Sequence, residues 1–380
     1  MDTYYFDNAA TTKVKEEVLK EMMPFFSENY GNPSAVYAIA RDAKRAIENA
    51  REKVANLIGA NKNEMYFTAS GSEADNTAIK GIAYKNKTKG NHIITSKIEH
   101  HAILESCKFL ETQGFEITYL DVDKNGFINL EELRNSITDK TILISVMFAN
   151  NEIGTIEPIE DIAQIAKERN VIFHTDAVQA VGNVKINVKE MGIDMLSLSG
   201  HKIYGPKGIG ALYVKNGIEF EKFINGGHQE NNKRAGTENT AGIVGLGKAS
   251  ELAKENIDTH IQKMKELREH YLEKITKRIP NIRINGAINA RLPGNSNISF
   301  KGINGSDLLL ELDNVGICAS SGSACNSEET VPSHVLSAIG LDDKTAKGAL
   351  RVTFGEFNTK ESVDYLVENL EKAVNKLRKL

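Results

Sequence analysis

The chain has 380 residues, enough for one to three domains, of which 41% are hydrophobic and 26% charged. Lys plus Arg total 47 against 51 Asp plus Glu, a formal net charge of −4. That balance argues against nucleic acid or an anionic membrane surface as a direct partner, and the hydrophobic content excludes a chain too polar to collapse.

Three cysteines, Cys107, Cys318 and Cys325, are too few for a disulfide framework and too scattered for a zinc ribbon or a C-x-x-C redox pair, so reduced thiols in a cytoplasmic protein are expected. Residues 1–8 have neither the basic start nor the apolar run of a signal peptide. The most apolar stretch, Thr141 to Ala149, falls far short of the roughly 20 residues that span a bilayer.

Val14, Val18, Met22 and Phe25 recur at helical spacing after Thr12, and a second helical run covers about 34 to 58. The chain then alternates. Strands are predicted at Met65 to Thr68, His92 to Thr95, Phe115 to Leu120, Thr141 to Phe148, Val171 to Thr175 and Met195 to Leu198, with helices over 72–85 and 101–112 and after Pro158. Strands separated by helices of this length argue for a mostly parallel sheet covered on both faces. Beyond about residue 240 the pattern changes. Ile257 to Ile279 marks a long helix that stops at Pro280, short strands follow near 282–285, 296–300 and 349–354, and a stripe from Val363 to Leu377 closes the chain. The expected fold class is α/β: a large, mostly parallel sheet domain over 12–257, and a smaller α+β domain built from 1–11 and 258–380.

Two motifs match without structural context. Asp121, Asp123, Asn125, Gly126 and Glu132 fit a calcium-loop pattern, but the alternation in Phe115 to Leu120 is that of a strand where an EF-hand needs a helix. The expectation is a strand, a turn and a helix beginning near Leu130. Gly242 to Lys248 nearly makes a P-loop, but Ala249 replaces the Ser or Thr that binds magnesium, and a close helix contact fits better.

One constellation points to a cofactor. The strand ending in Ser199-Gly200-His201 delivers Lys202 into a hydroxyl-bearing loop, and Val171 to Thr175 delivers Asp176 at its own carboxyl end, with Gln179 three residues on. Strand ends in an α/β sheet open onto one crevice. An amine and a carboxylate meeting there suit pyridoxal phosphate, which needs a lysine to hold it and a carboxylate to keep its ring nitrogen protonated. Thr68-Ala69-Ser70-Gly71-Ser72-Glu73 follows a strand and opens a helix, so its free N–H groups and the Ser72 hydroxyl make a phosphate site.

With these residues in place the chain resembles the cysteine desulfurases of the NifS/IscS type, within the fold-type I pyridoxal-phosphate enzymes. The resemblance runs in order through Tyr5 to Thr12, Gly31-Asn32-Pro33-Ser34, Ser70 to Asn76, Glu99-His100, Asn150 to Gly154, the Asp176 and Lys202 segments, Arg234 to Thr237, Ser320 to Cys325, and Arg351. It implies that Lys202 holds the cofactor and moves protons, that His100 stacks on the ring and serves in acid–base steps, that Asp176 pairs with the ring nitrogen and that Gln179 bonds the ring hydroxyl. Gly71, Ser72, Ser199 and His201 would hold the phosphate, with Thr237 from the other subunit of a homodimer. Asn32, Asn151 and Arg351 would bind the substrate, L-cysteine. Cys325, in a Gly- and Ser-rich loop over about 320–332 read as mobile, would be the nucleophile that takes sulfur as a persulfide and passes it to an acceptor such as an iron–sulfur scaffold protein or a thiolation partner. Another pyridoxal-phosphate lyase, a selenocysteine lyase included, or an aminotransferase on the same fold is the alternative. The sequence departs from the family pattern at Tyr37, where a histidine is usual, and at His228, Asn231 and Asn232 in a run usually richer in glycine.

Overall fold

A computed structural model describes residues 3–321 and 332–379. Its strands are β1 (Tyr4–Tyr5), β2 (Met65–Thr68), β3 (His92–Ser96), β4 (Glu116–Leu120), β5 (Thr141–Ser145), β6 (Ile172–Asp176), β7 (Met195–Ser199), β8 (Gly210–Val214), β9 (Ile282–Ile284), β10 (Asn295–Phe300), β11 (Ile317–Cys318) and β12 (Ala349–Thr353). Seven of them form one sheet in the order β2-β8-β7-β6-β5-β3-β4, parallel throughout except for β8, which runs against both neighbours. Strands β3, β5, β7 and β8 are buried along their whole length, because helices cover both faces and leave no face for polar alternation.

A second sheet, β12-β10-β9, is antiparallel and packs against the helices Ile257–Arg278 and Lys360–Leu377. Its core takes in Phe6 from the chain start beside Met264, Tyr271, Phe300, Val352 and Leu370. The N-terminal segment is stitched onto β12, with Thr353 N donating to Phe6 O at 2.8 Å and Ala9 N to Thr353 Oγ1 at 2.9 Å.

Local differences from the sequence reading have local causes. The first helix runs Glu16–Met22, and Pro24, which lacks an N–H, starts a separate short turn. The next begins only at Ala38, after an Asx turn in which Ser34 N donates to Asn32 Oδ1. Strand β5 stops at Ser145 rather than Phe148, although Val146 and Phe148 still donate to carbonyls of β6.

The calcium-like segment follows strand β4, and Asp123 Oδ1 accepts from Asn125 N and Phe127 N, which uses this carboxylate to close a turn. The near P-loop lies inside the helix Thr240–Glu255, where a Cβ on Gly247 would fall 2.6 Å from Ala50 Cα. No described helix is long and apolar enough to cross a membrane.

Candidate active site

The carboxyl ends of β2, β3, β5, β6 and β7 share one edge of the large sheet, and the segments leaving them enclose a cavity of about 480 Å³. Ten of the expected residues line it: Gly71, Ser72, His100, Asn151, Asp176, Gln179, Ser199, His201, Lys202 and Arg351. Asn32 and Thr237 are not among them; Asn32 sits in its exposed turn and Thr237 is exposed. Cys325 and most of the loop predicted to carry it, residues 322–331, lie outside the described residues.

Asp176 ends β6 and Ser199 ends the adjacent parallel β7, so a single turn of chain, Gly200–Lys202, is enough to swing the lysine into the same space. Lys202 Nζ donates to the carbonyls of Ala9 and of Ala10, the latter at 2.8 Å. Gln179 Nε2 donates to the same Ala9 carbonyl at 2.9 Å. His201 Nδ1 lies 3.1 Å from Thr11 Oγ1, and Thr12 N donates to His201 O. The N-terminal segment is thus a wall of the cavity.

Ser70 caps the helix Gly71–Lys85, its Oγ accepting from Glu73 N, and Gly71 and Ser72, whose N–H groups have no partner within the helix, line the cavity. A Cβ on Gly71 would lie 2.6 Å from Val178 Cγ2, so a side chain here would have to push Val178, just beyond β6, aside. Glu73, an anion at a site that must take another, is drawn aside by Ala69 N and by both Nε and Nη2 of Arg234. That pair also fixes the segment leading to Thr237.

Burial sets the protonation states. It lowers the His100 imidazole below its ordinary range, with Asp176 opposing and Lys202 assisting. His100 Nδ1 accepts from Ala102 N, so the neutral ring carries its proton on Nε2. Burial, then Lys202 and Lys207, push His201 down to about 4. Asp176 is raised by burial and held back by His100, by the N–H of Val178 and by Lys202. Beneath it His174, pushed down to about 3 by burial, bridges Ser145 Oγ at 2.9 Å and Ser197 Oγ at 3.0 Å.

The donor set fits pyridoxal phosphate. A helix start with a glycine cradle and neutral hydroxyl and imidazole donors suits a phosphate dianion, and a buried carboxylate and a lysine amine share the same cavity.

Sequence reasoning missed Asp75, which lines the cavity and is pushed well above the carboxylate range by burial and then by the Asp176 charge. An acid among Ala74, Ala78 and Ile79, one turn into the helix, was the available signal. It also gave no role to Asp7, Ala9, Ala10 or Thr11, although their motif stood out. The departures at Asn231 and Asn232 are accommodated: with Glu230 they take left-handed φ of 53°, 64° and 48°, a region asparagine tolerates better than most residues. Glu230 is held there by Arg51, at 2.6 and 2.9 Å, and by Phe67 N.

A parallel sheet that gathers a lysine, a carboxylate and a helix start at its carboxyl edge is the arrangement of the fold-type I enzymes. The chain belongs to the aminotransferase class-V family, whose model matches residues 4–366. It is 57% identical over 378 residues to "Cysteine desulfurase IscS" of Clostridium botulinum, covering 99% of this chain and 95% of that protein. It is 54% identical to the protein of the same name from Methanosarcina thermophila, with 99% and 93% covered. Among solved structures, a "NifS-like protein" superposes with a TM-score of 0.93 at 37% identity over 99% of this chain and all of the other. "SspA in complex with cysteine" matches with a TM-score of 0.84 at 40% identity over 94% and 100%.

Proposed function

We propose that this chain is a pyridoxal-phosphate-dependent cysteine desulfurase that converts L-cysteine to L-alanine and leaves the sulfur as a persulfide on Cys325. The observation that carries the reading is the meeting of Lys202, Asp176 and the Gly71–Ser72 helix start in one cavity with Arg351. The family match and the cysteine-desulfurase relatives support it.

Lys202 would hold the cofactor through Nζ, Asp176 would face its ring nitrogen, Gln179 its hydroxyl, and Gly71, Ser72, Ser199 and His201 its phosphate. Bound there, pyridoxal phosphate supplies an electron sink for a carbanion at the substrate Cα. Arg351 and Asn151 orient the cysteine, with Asn32 assisting, and the Lys202 amine removes the Cα proton. His100, neutral with its proton on Nε2, handles proton transfers near the sulfur. The Cys325 thiolate attacks the substrate sulfur: the Cβ–S bond breaks, an S–S bond forms, one proton goes to Cβ and the Lys202 amine returns one to Cα, which completes alanine.

In this reading the protein is a homodimer in which Thr237 of the partner subunit completes the phosphate site. The exposure of Thr237 and its absence from the cavity lining support that assignment. The persulfide then passes to a sulfur-acceptor protein, an iron–sulfur scaffold or a thiolation partner, in a cytoplasmic setting. The division at residues 12 and 257 assigns the cofactor to the larger unit and Arg351 and Cys325 to the smaller.

The test is incubation of the holoprotein with L-cysteine and a reductant. Alanine and sulfide should appear in equal amounts, and Lys202→Ala should lose both turnover and the visible absorbance of the bound cofactor. Formation of a keto acid in place of alanine would instead assign an aminotransferase.

A further inference from the structure

Asp7 has no part in the reaction above, yet it touches the side chain assigned to the substrate carboxylate. Arg351 is only 1% exposed. Its Nη2 donates to Asp7 Oδ1 at 2.8 Å and its Nη1 to Asn151 O at 3.2 Å. Its Nε is buried and has no hydrogen-bond partner among the described residues. A guanidinium offers paired parallel donors along its Nε–Nη2 edge. On Arg351 that edge holds the orphaned Nε, so an incoming carboxylate completes it while Asp7 remains on the same Nη2.

Asp7 is pinned by its backbone on both sides, which keeps its carboxylate beside Arg351. Its neighbours Phe6, Asn8 and Ala9 are all bonded to Thr353: Thr353 N to Phe6 O at 2.8 Å, Asn8 Nδ2 to Thr353 O at 2.8 Å, and Ala9 N to Thr353 Oγ1 at 2.9 Å. The two carboxylates must therefore share one cation at close range. Arg351 and Asp7 already form a neutral pair before any ligand arrives. A ligand carboxylate that brings its own ammonium keeps the subsite neutral, whereas a bare carboxylate leaves an uncompensated charge in a poorly solvated place. The other charges of the cavity, Lys202, Lys207, Asp176 and the cofactor, are common to both cases.

We propose that Asp7 is a specificity-determining residue that makes the Arg351 subsite selective for zwitterions, admitting α-amino acids and turning away carboxylates that lack an ammonium. This rests on the reading of Arg351 as the α-carboxylate anchor.

The test compares two ligands on the holoenzyme by equilibrium calorimetry: 3-mercaptopropionate, which is cysteine without its amino group, and L-alanine. Asp7→Asn keeps an oxygen for Arg351 Nη2 and removes the charge. It should tighten 3-mercaptopropionate by roughly a hundredfold, the scale set by two unit charges about 6 Å apart at an effective dielectric near 20. Alanine affinity should change several-fold less, and Asp7→Glu should retain the wild-type preference. Equal changes for the two ligands, or no gain for 3-mercaptopropionate, would overturn the proposal. Should Asp7→Asn not fold, wild-type enzyme alone decides the matter: trimethylglycine, a zwitterion that cannot react through its nitrogen, should bind about tenfold or more tightly than its carbon isostere 3,3-dimethylbutyrate, and equal affinities would overturn the assignment. The desulfurase reading stands or falls separately, on the alanine that wild type forms from cysteine.

Discussion

At the scale of single residues, environment decides which of several chemically similar groups can react. Cys107 is fully buried in its helix, and burial pushes its thiol up to about 12. Cys318 is raised in the same direction, again first by burial. Thiolate is the reactive form, so neither thiol competes as a nucleophile at neutral pH. Cys107 in folded protein should resist iodoacetamide at neutral pH and become alkylated only on denaturation, while Cys107→Ala should retain turnover. Rapid labelling of Cys107 in the native protein, followed by peptide mass analysis, would contradict this. The same logic separates the two carboxylates at the sheet edge. Both are raised first by burial, but Asp176 has His100, Lys202 and a backbone N–H to support its charge, whereas Asp75 has only the Ser197 hydroxyl and faces the charges of Asp176 and Glu99.

At the scale of elements, the site is held by the turns that follow the strands. The turn after β3 shows how much burial this involves. Glu99 is fully buried there, accepting from Ser96 Oγ at 2.6 Å and Met147 N at 2.9 Å, and so ties the His100 segment to the chain leaving β5. Burial raises its carboxyl from 4.5 to about 8. The folded state therefore keeps a proton that the unfolded chain gives up. The associated stability is fully present below about pH 4.5 and is lost as the pH rises through about 8. Glu99→Gln keeps the neutral shape and has no proton to lose. Its melting temperature should fall less than that of wild type between about pH 5 and pH 8, a difference on the order of a few degrees. An identical pH dependence in the two proteins would show that Glu99 is ionised in the fold.

Elements were also where the sequence was most legible. Strand runs such as Thr141 to Ser145 and helices opened by Ser70 or Asn129 carry local signals: unbroken β-branched and apolar residues, and caps whose side chains accept from the first N–H groups. The site residues were legible where they sit at strand ends, as Asp176 and Lys202 do. What escaped was set by distant contacts. The two-residue strands β1 and β11 exist only because residues 4–5 and 317–318 meet in the fold. The duties of Asp7 and Ala9 depend on β12 and Lys202, which lie hundreds of residues away along the chain. No local pattern encodes such partners.

At the scale of the whole molecule, the N-terminal segment joins the two halves of the chemistry. Phe6 belongs to the core of the smaller sheet, Asp7 pairs with Arg351, and Ala9 and Ala10 hold Lys202. The group assigned to the substrate carboxylate and the group assigned to the Cα proton are thereby held two to three residues apart on one chain segment. Both ends of the span that contains Cys325 are fastened to this same region. Ser320 exchanges backbone hydrogen bonds with Arg351, and Ser333 Oγ donates to Glu152 Oε2 at 2.5 Å, next to Asn151. On either side of the span that would carry the nucleophile, the chain is anchored to Arg351 and to Glu152, the neighbour of Asn151.

The most direct measurement is a single turnover. The holoenzyme, treated with one equivalent of L-cysteine without reductant, is digested and mapped by mass, and free alanine is quantified in the same sample. The account predicts one alanine per active site and one added sulfur confined to the peptide containing Cys325, with Cys325→Ser forming neither. Alanine release without sulfur on that peptide, or the added sulfur on Cys107 or Cys318, would contradict it.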